Sequence, residues 1–356
     1  MCLSSPEQQE QDVTKLDPKI TAEVLPPTMR AAVYREHGAA DAVLGIEVIE
    51  LSEPAPGEVL VEVHASGVNP SDVAGRSGGW VQPGLEGDRI VPHSDGAGVI
   101  VAIGKGVSPD RLGERVWLWN AQWGRTEGTA ADYVALPSIQ AVRLPENVTF
   151  IEAAAFGIPL LTAWRAVRLL DPLAGMVVLI TGGAGSVAQH AIQLAKLAGA
   201  TVITTVSGAK KAEAAKLAGA DHVINYRVAD VAAEVLTFTD GHGADAAIDL
   251  DIANNGTVLA RALKPHGTLV GYGTSGPTAA FPAIDMIVKS LSVRFFIVYE
   301  LTADVRREAE AALTRLLADG RLRTPVHSVL PLEQIAEAHR LIESGEAVGN
   351  VVLAVR

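Results

Sequence analysis

LITGGAGSVAQHAIQLAKLAGA, residues 179–200, is the stretch on which the reading of the fold turns. It continues MVVLIT (176–181), a short apolar run rich in β-branched residues, which suits a buried strand. Glycines break the run, and apolar residues then recur at helical spacing as far as Gly199, a residue suited to the left-handed turn that ends a helix. Within the break, Gly183, Gly185 and Ala188 stand in the form G-x-G-x-x-A. Small residues there permit a tight turn, close approach of backbone N–H groups to a pyrophosphate, and close packing of helix on strand. The spacing alone also occurs in purely structural glycine turns. A strand before it, a helix after it and a second strand about 20 residues on favour a bound dinucleotide.

Downstream, strands are expected at ATVITT (200–205), DHVINY (221–226), ADAAIDL (244–250), GTLVGYG (267–273) and SVRFFIVY (292–299), with helices between them. This order predicts a doubly wound parallel sheet covered on both faces. The hexapeptide AKLAGA occurs at 195–200 and at 215–220, each time where a helix gives way to a strand, so it reads as two similar joints and not as a repeat. Upstream, AAVY, EVLVEVHA, DGAGVIVAIG, ERVWLW and DYVALP alternate between turn signals and predict an antiparallel, barrel-like β domain. The C-terminal part opens with a long helix, ADVRREAEAALTRLLADG (303–320), and closes with GNVVLAV (349–355), whose strand is expected to return to the β domain. The division expected is a polar, mobile tail over residues 1–28, a catalytic β-rich domain of 29–157 with 298–356, and an inserted dinucleotide-binding domain of 158–297.

NAD-specific sheets end their second strand with an acid that accepts from the ribose 2′-hydroxyl. Here TTVSGAKKAE (204–213) offers no acid before Glu213. Ser207 leaves room for a 2′-phosphate and Lys211 offers it positive charge, so NADPH is favoured over NADH. A solvated lysine in the first turn of a helix is the plainer alternative.

Composition narrows the partners. Hydrophobic residues make up 48% and charged ones 20%, ordinary for a folded protein, and a net charge of −12 disfavours nucleic acid and anionic membranes. Apolar runs are too short to span a bilayer, and the first residues lack the basic and apolar regions of a signal peptide, so a cytoplasmic protein is expected. The only cysteine is Cys2, which rules out an intrachain disulfide and a multi-cysteine zinc site.

SGVNPSDVAGRSG (66–78), PHSDGAGVIVAIGKGV (92–107), AAAFGIPLLTAWRAV (153–167), the glycine loop, GADHVINY (219–226) and GNVVL (349–353), in this order and spacing, resemble the zinc-free quinone oxidoreductases of the zeta-crystallin type within the medium-chain dehydrogenase/reductase superfamily. The resemblance spans residues 29–356 and implies a GroES-like β-barrel catalytic domain with an inserted Rossmann domain. Zinc-dependent members carry a cysteine where this chain has Asn69 and a His-Glu pair where it has Ser94 and Asp95, so no metal is expected, and His93 reads as a turn or core histidine. The likeness implies Asn69 beside the nicotinamide and Thr162 at the cofactor's ribose or phosphate. It also implies Ala184, Ser186 and Val187 with the loop glycines around the pyrophosphate, and Ser207, Lys211 and Tyr226 around the 2′-phosphate. Val270, Gly271, Tyr272, Gly273 and Asn350 would line the nicotinamide end. Tyr226 reads equally well as a packing residue.

Family members typically place a tyrosine two residues after the Asp of N-P-x-D, where this chain has Ala74. WLWNAQWGRTEG (117–128) is unusually aromatic; Trp119 and Trp123 either form a flat-ring substrate pocket with Asp72 and Ala74 or simply pack the barrel. Asp72 reads as a proton relay or as a structural acceptor. The activity implied is metal-free hydride transfer from NADPH to a quinone or another conjugated carbonyl, with Asn69 stabilising the developing oxyanion. The rival within enzymes is reduction of an activated C=C bond in an enal, enone or enoyl thioester. The rival from another class is a non-catalytic NADPH-binding structural or RNA-binding protein. SVRFFIVY as an apolar edge strand predicts pairing across a homodimer.

Overall fold

The β-branched runs form strands because each is long enough to cross a sheet and has an apolar face to bury. In the computed structural model, which describes residues 25–80 and 88–356, they fall in chain order as β1 (Thr28–Val33), β2 (Gly45–Glu50), β3 (Glu58–Val68), β4 (Asp95–Ile103), β5 (Arg115–Leu118), β6 (Tyr133–Pro137), β7 (Ala141–Arg143), β8 (Val177–Ile180), β9 (Thr201–Val206), β10 (His222–Asn225), β11 (Ala244–Asp249), β12 (Leu263–Gly271), β13 (Ser292–Phe295), β14 (Val326–Pro331) and β15 (Asn350–Ala354). The mobility expected of residues 1–24 lies outside the described residues.

β8 to β13 make one six-stranded sheet in the order β10-β9-β8-β11-β12-β13, parallel throughout. Chain order reverses between the neighbours β8 and β11, which opens a crevice at their C-terminal ends. Helices Ser186–Leu197 and Ala209–Leu217 end at Gly199 and Gly219, with φ of +86° and +107°, which explains the two AKLAGA joints.

The remaining strands form a seven-stranded sheet, β14-β15-β3-β4-β5-β7 with β6 also on β3, and a separate β1-β2 pair. All its pairings are antiparallel except β14 with β15. β15 pairs with β3, Val352 opposite Gly67, so the last strand does return to the first part of the chain. Its core packs Val61, Leu118, Leu136 and Val351, all fully buried. A second core joins Trp117, Phe156 and Trp164 to the helices and strands of the parallel sheet.

Two expectations need correction. The ordered β domain starts ahead of Met29: Thr28 is already in β1 opposite Glu50, and the Pro27 carbonyl accepts from Leu51 N at 3.1 Å. SVRFFIVY is a strand only as far as Phe295. Val298–Glu300 turns into a short 3-10 helix because Val298 and Tyr299 are drawn down into the aromatic core instead of continuing the sheet edge.

Candidate functional site

The crevice is a cleft of about 820 Å³. Its floor is the turn after β8. Gly182 has φ +67°, and a Cβ on Gly183 would stand 2.2 Å from Thr204 Oγ1 on the neighbouring strand, so only glycine lets the loop lie this close to the sheet. Gly183 N donates to the Thr205 carbonyl at 2.8 Å and Gly182 N to Thr205 Oγ1 at 3.1 Å, which pins the loop. The first-turn amides of helix Ser186–Leu197 have no carbonyl within the helix and are ready donors for an anion. Beneath the loop, Thr181 Oγ1 donates to buried Asp249 at 2.6 Å and Asn255 Nδ2 to the same oxygen at 2.8 Å. Burial still leaves that carboxyl above its ordinary value.

The cleft brings together Ala184, Gly185, Ser186, Ser207, Lys211 and Tyr226 of the expected cofactor residues. Lys211 reaches across it, its Nζ donating to the Gly345 carbonyl at 2.7 Å, while Tyr226 is half exposed on the same wall. No acid stands between Thr204 and Lys211, so the corner that would meet a ribose has a cation and hydroxyls. The cradle, the free first-turn amides and this corner fit NADPH.

Another part of the lining was not legible in the sequence. Asp230 caps helix Val231–Phe238 through Ala232 N and Ala233 N at 3.0 and 3.2 Å and pairs with Arg261 at 3.1 Å, both side chains lining the cleft. The Ala233 N–H, then Arg261, hold its carboxyl below the usual range. The signal available was an Asp before an apolar helical run; nothing local connects it to Arg261.

Past the loop, Gly349 N donates to the Ala184 carbonyl at 2.9 Å, which brings β15 against the dinucleotide sheet. Asn350, next in sequence, is buried and spends its Nδ2 on the Pro325 carbonyl at 2.8 Å. Val270 is fully buried in the sheet core and Gly271 lies under the Phe295 ring, so that run offers backbone and not side chains, apart from Tyr272. Val187 packs at the edge of the same core, and Thr162 is buried in helix Leu161–Arg168. Asn350, Val270, Gly271, Tyr272, Val187 and Thr162 do not line the cleft itself, nor do Asn69, Gly183 and Gly273.

Asn69 sits where β3 runs into helix Pro70–Ser77. Its backbone N donates to Asp72 Oδ2 and its Nδ2 to Asp95 Oδ2, both at 2.8 Å, and Ile158 N also donates to that Asp95 oxygen at 2.9 Å. Asp95, which the sequence marked only as standing where zinc-dependent members carry a ligand, proves to be the hub of these bonds. Asp95 Oδ1 has no partner among the described residues. Burial drives the Asp95 carboxyl well above its ordinary value and raises Asp72 to about 7 against the Asn69 N–H that lowers it. Asp72 is therefore tied as a helix-capping acceptor.

The aromatic run divides. Trp117 is core, and Trp119 is taken up by Arg306, whose guanidinium carbon lies 3.4 Å from its ring centre, so Trp119 is not an open pocket face. Only Trp123 reaches toward the helix carrying Asn69, stacked on Tyr299 at 4.3 Å and 18° and on Trp80 at 5.6 Å and 30°. Ala74 meets this group through its carbonyl, which accepts from Trp80 N at 3.2 Å.

Two family models match: one described as an alcohol dehydrogenase GroES-like domain over residues 55–146, and one described as a zinc-binding dehydrogenase over 218–353. The donor set does not fit zinc. An amide at Asn69 stands beside a carboxylate already engaged by two N–H donors, and His93 is locked between Ser66 Oγ at 2.9 Å and His339 Nε2 at 3.0 Å. Among the described residues no three His, Cys, Asp or Glu gather as a metal site. Human quinone oxidoreductase is 30% identical over 327 residues, covering 91% of this chain and 97% of that protein. Escherichia coli quinone oxidoreductase, solved in complex with NADPH, superposes with a TM-score of 0.83 at 28% identity over 92% of this chain and 100% of that one. A polypeptide of the phenolphthiocerol/phthiocerol polyketide synthase of Mycobacterium tuberculosis is 31% identical over 341 residues, 92% of this chain, but the chain spans only 15% of that protein's length. With a cleft at the switch of a parallel sheet whose glycine loop, free amides and Lys211 suit NADPH, and with a GroES-like domain beside it, the chain belongs to the medium-chain dehydrogenase/reductase superfamily of oxidoreductases.

Proposed function

We propose that this chain transfers hydride from NADPH to a quinone without a metal. The observation that carries the reading is that helix Pro70–Ser77, which starts after Asn69, is met by an aromatic group in which Trp123 stacks on Trp80 and Tyr299, through Tyr299 at Ser71 and Trp80 at Ala74. Flat ring faces favour a planar acceptor. NADPH, when bound, supplies the hydride. The residues hold and polarise: the loop amides after Gly185 take the pyrophosphate, Lys211 exchanges the Gly345 carbonyl for the 2′-phosphate, and Asn69 keeps a second amide hydrogen for the oxygen on which charge develops. The reduced acceptor leaves as an anion that water protonates. The relatives named quinone oxidoreductase support this choice.

The same reading includes a homodimer. β13 is the outer strand of the parallel sheet, and exposed Phe295 on it joins exposed Ile284, Ile287 and Val288 of the preceding helix in an apolar edge that a twofold mate would cover.

The test is anaerobic NADPH oxidation with an o-quinone, a p-quinone, a 2-alkenal and a cyclic enone in parallel, with NADH as control. Quinone turnover dependent on NADPH is expected. Enal or enone turnover without quinone turnover makes it a C=C reductase, and NADPH binding with no turnover makes it a binding protein.

A further inference from the structure

The hydride-transfer reading leaves open which group, besides Asn69, meets the acceptor's oxygen. Ala74 has no hydroxyl to offer. Tyr299 comes from a segment far along the chain, yet its phenol donates to Ser71 Oγ at 2.8 Å, in the first turn of the helix that begins after Asn69. Ser71 lies between Pro70, which lines the cofactor cleft, and Asp72.

We propose that Tyr299 and Ser71 act as a hydroxyl pair in which Ser71 Oγ hydrogen-bonds the reducible oxygen of the acceptor and Tyr299 positions and polarises it. A serine hydroxyl has one hydrogen and two lone pairs. Among the described residues the Tyr299 phenol is the hydrogen-bond partner of Ser71 Oγ, and because Tyr299 is the donor, the serine's own hydrogen is left to point elsewhere. The phenol is held firmly enough for that purpose. Asn120 Nδ2 donates to the Tyr299 carbonyl at 3.1 Å, the ring lies flat on Trp123, and the Trp123 indole N–H is fixed by Glu300 Oε1 at 3.1 Å. Burial, then the nearby Asp72 carboxyl, keep Tyr299 in its neutral, donating form.

Chain direction explains why this arrangement exists. Where the expected sheet-edge strand breaks off after Phe295, the backbone dives inward and delivers Tyr299 to the helix start. The balance of the reaction is simple: hydride with its electron pair passes from NADPH to the acceptor, NADP⁺ remains, the acceptor oxygen becomes an anion hydrogen-bonded by Ser71, and water supplies the proton after release. No proton leaves Tyr299 or Ser71.

The test rests on the hydride-transfer reading and uses the acceptor that the wild type reduces. Ser71→Ala is expected to lower kcat about 30- to 100-fold and Tyr299→Phe about 10-fold, with NADPH affinity within about twofold of wild type. The double variant is expected to match Ser71→Ala alone, because the phenol acts through the serine, and Ser71→Thr is expected to keep most of the activity. Tyr299→Phe retains the ring on Trp123, so a purely packing role predicts no change. Wild-type kcat in Tyr299→Phe, or effects of the two substitutions that simply multiply, overturn the pair while leaving the hydride-transfer reading intact. A wild type that binds NADPH and reduces no acceptor overturns both.

Discussion

At one end, the cleft, the walls are backbone amides, a glycine turn and half-exposed side chains such as Lys211 and Tyr226; at the other, the turn from β3 into helix Pro70–Ser77, Asn69, Asp72 and Asp95 lie outside the cleft's lining, nearly or wholly buried and bound to one another. The first end is open to water and recognises a charged ligand with groups that any solvent exposure would leave satisfied. The second confines carboxyls in a low-dielectric setting, where an unpartnered oxygen such as Asp95 Oδ1 is costly and every neighbouring donor changes the electrostatics. Affinity should therefore depend on the shape and charge of one end, and rate on the hydrogen bonding of the other.

The largest effect is expected from Gly183→Val. Its Cβ falls 2.2 Å from Thr204 Oγ1, so the loop must move away from the sheet, and NADPH affinity should drop by more than about 100-fold in fluorescence titration. Binding close to wild type would show that the loop is not the cradle. Lys211→Ala should weaken NADPH by about 10- to 100-fold and leave NADH within a few-fold, since only the 2′-phosphate pairs with it. Equal losses for both would make Lys211 a bridge to Gly345 and nothing more.

Asn69→Ala tests the other end. It removes one of the two N–H donors on Asp95 Oδ2 and should lower kcat about 10-fold with NADPH affinity unchanged. A change in affinity without a change in kcat would collapse the division of labour between the two ends.

The smallest effect concerns stability. Burial, opposed by the Asn69 N–H, raises Asp72 from 3.8 to about 7, so between those values the folded chain keeps a proton that the unfolded chain has released. The neutral carboxyl's contribution is complete below about pH 4 and is lost as pH rises through about 7. Because other buried groups titrate in the same window, the check is the difference: the urea midpoint of the wild type relative to that of Asp72→Asn should fall as pH rises from about 4 to about 7. Parallel slopes would mean that Asp72 titrates as an ordinary exposed acid.

The edge strand gives a separate check on assembly. Phe295→Asp on the exposed rim of β13 should yield a monomer by light scattering with cofactor binding retained. A wild type that is itself monomeric sinks the homodimer, and an unchanged dimer mass in the variant places the interface elsewhere.

How much of this was readable in advance follows from the range of the interactions. Gly183, Gly185 and Ala188 report a turn, a strand end and a helix start that are all within ten residues of one another, and the parallel sheet follows from β-branched runs alternating with helices. The absence of an acid before Glu213 is likewise a local fact. Trp119 and Trp123 looked alike in sequence because composition carries no direction; packing buried one beneath Arg306 and stacked the other on Tyr299. Asp95 and Asn69 are 26 positions apart, Asp230 and Arg261 31, and Ser71 and Tyr299 228, and no periodicity links members of such pairs. SVRFFIVY was apolar enough for an edge strand from end to end, yet its second half found more burial in the aromatic core than at the sheet edge. Local backbone geometry and hydrophobic period are written residue by residue, so sequence alone determined the doubly wound sheet, the phosphate loop and the choice of NADPH. Which buried polar groups face one another depends on how distant elements pack, and only the tertiary structure decided that Asn69 meets Asp95 and that Tyr299 meets Ser71 at the start of the same helix.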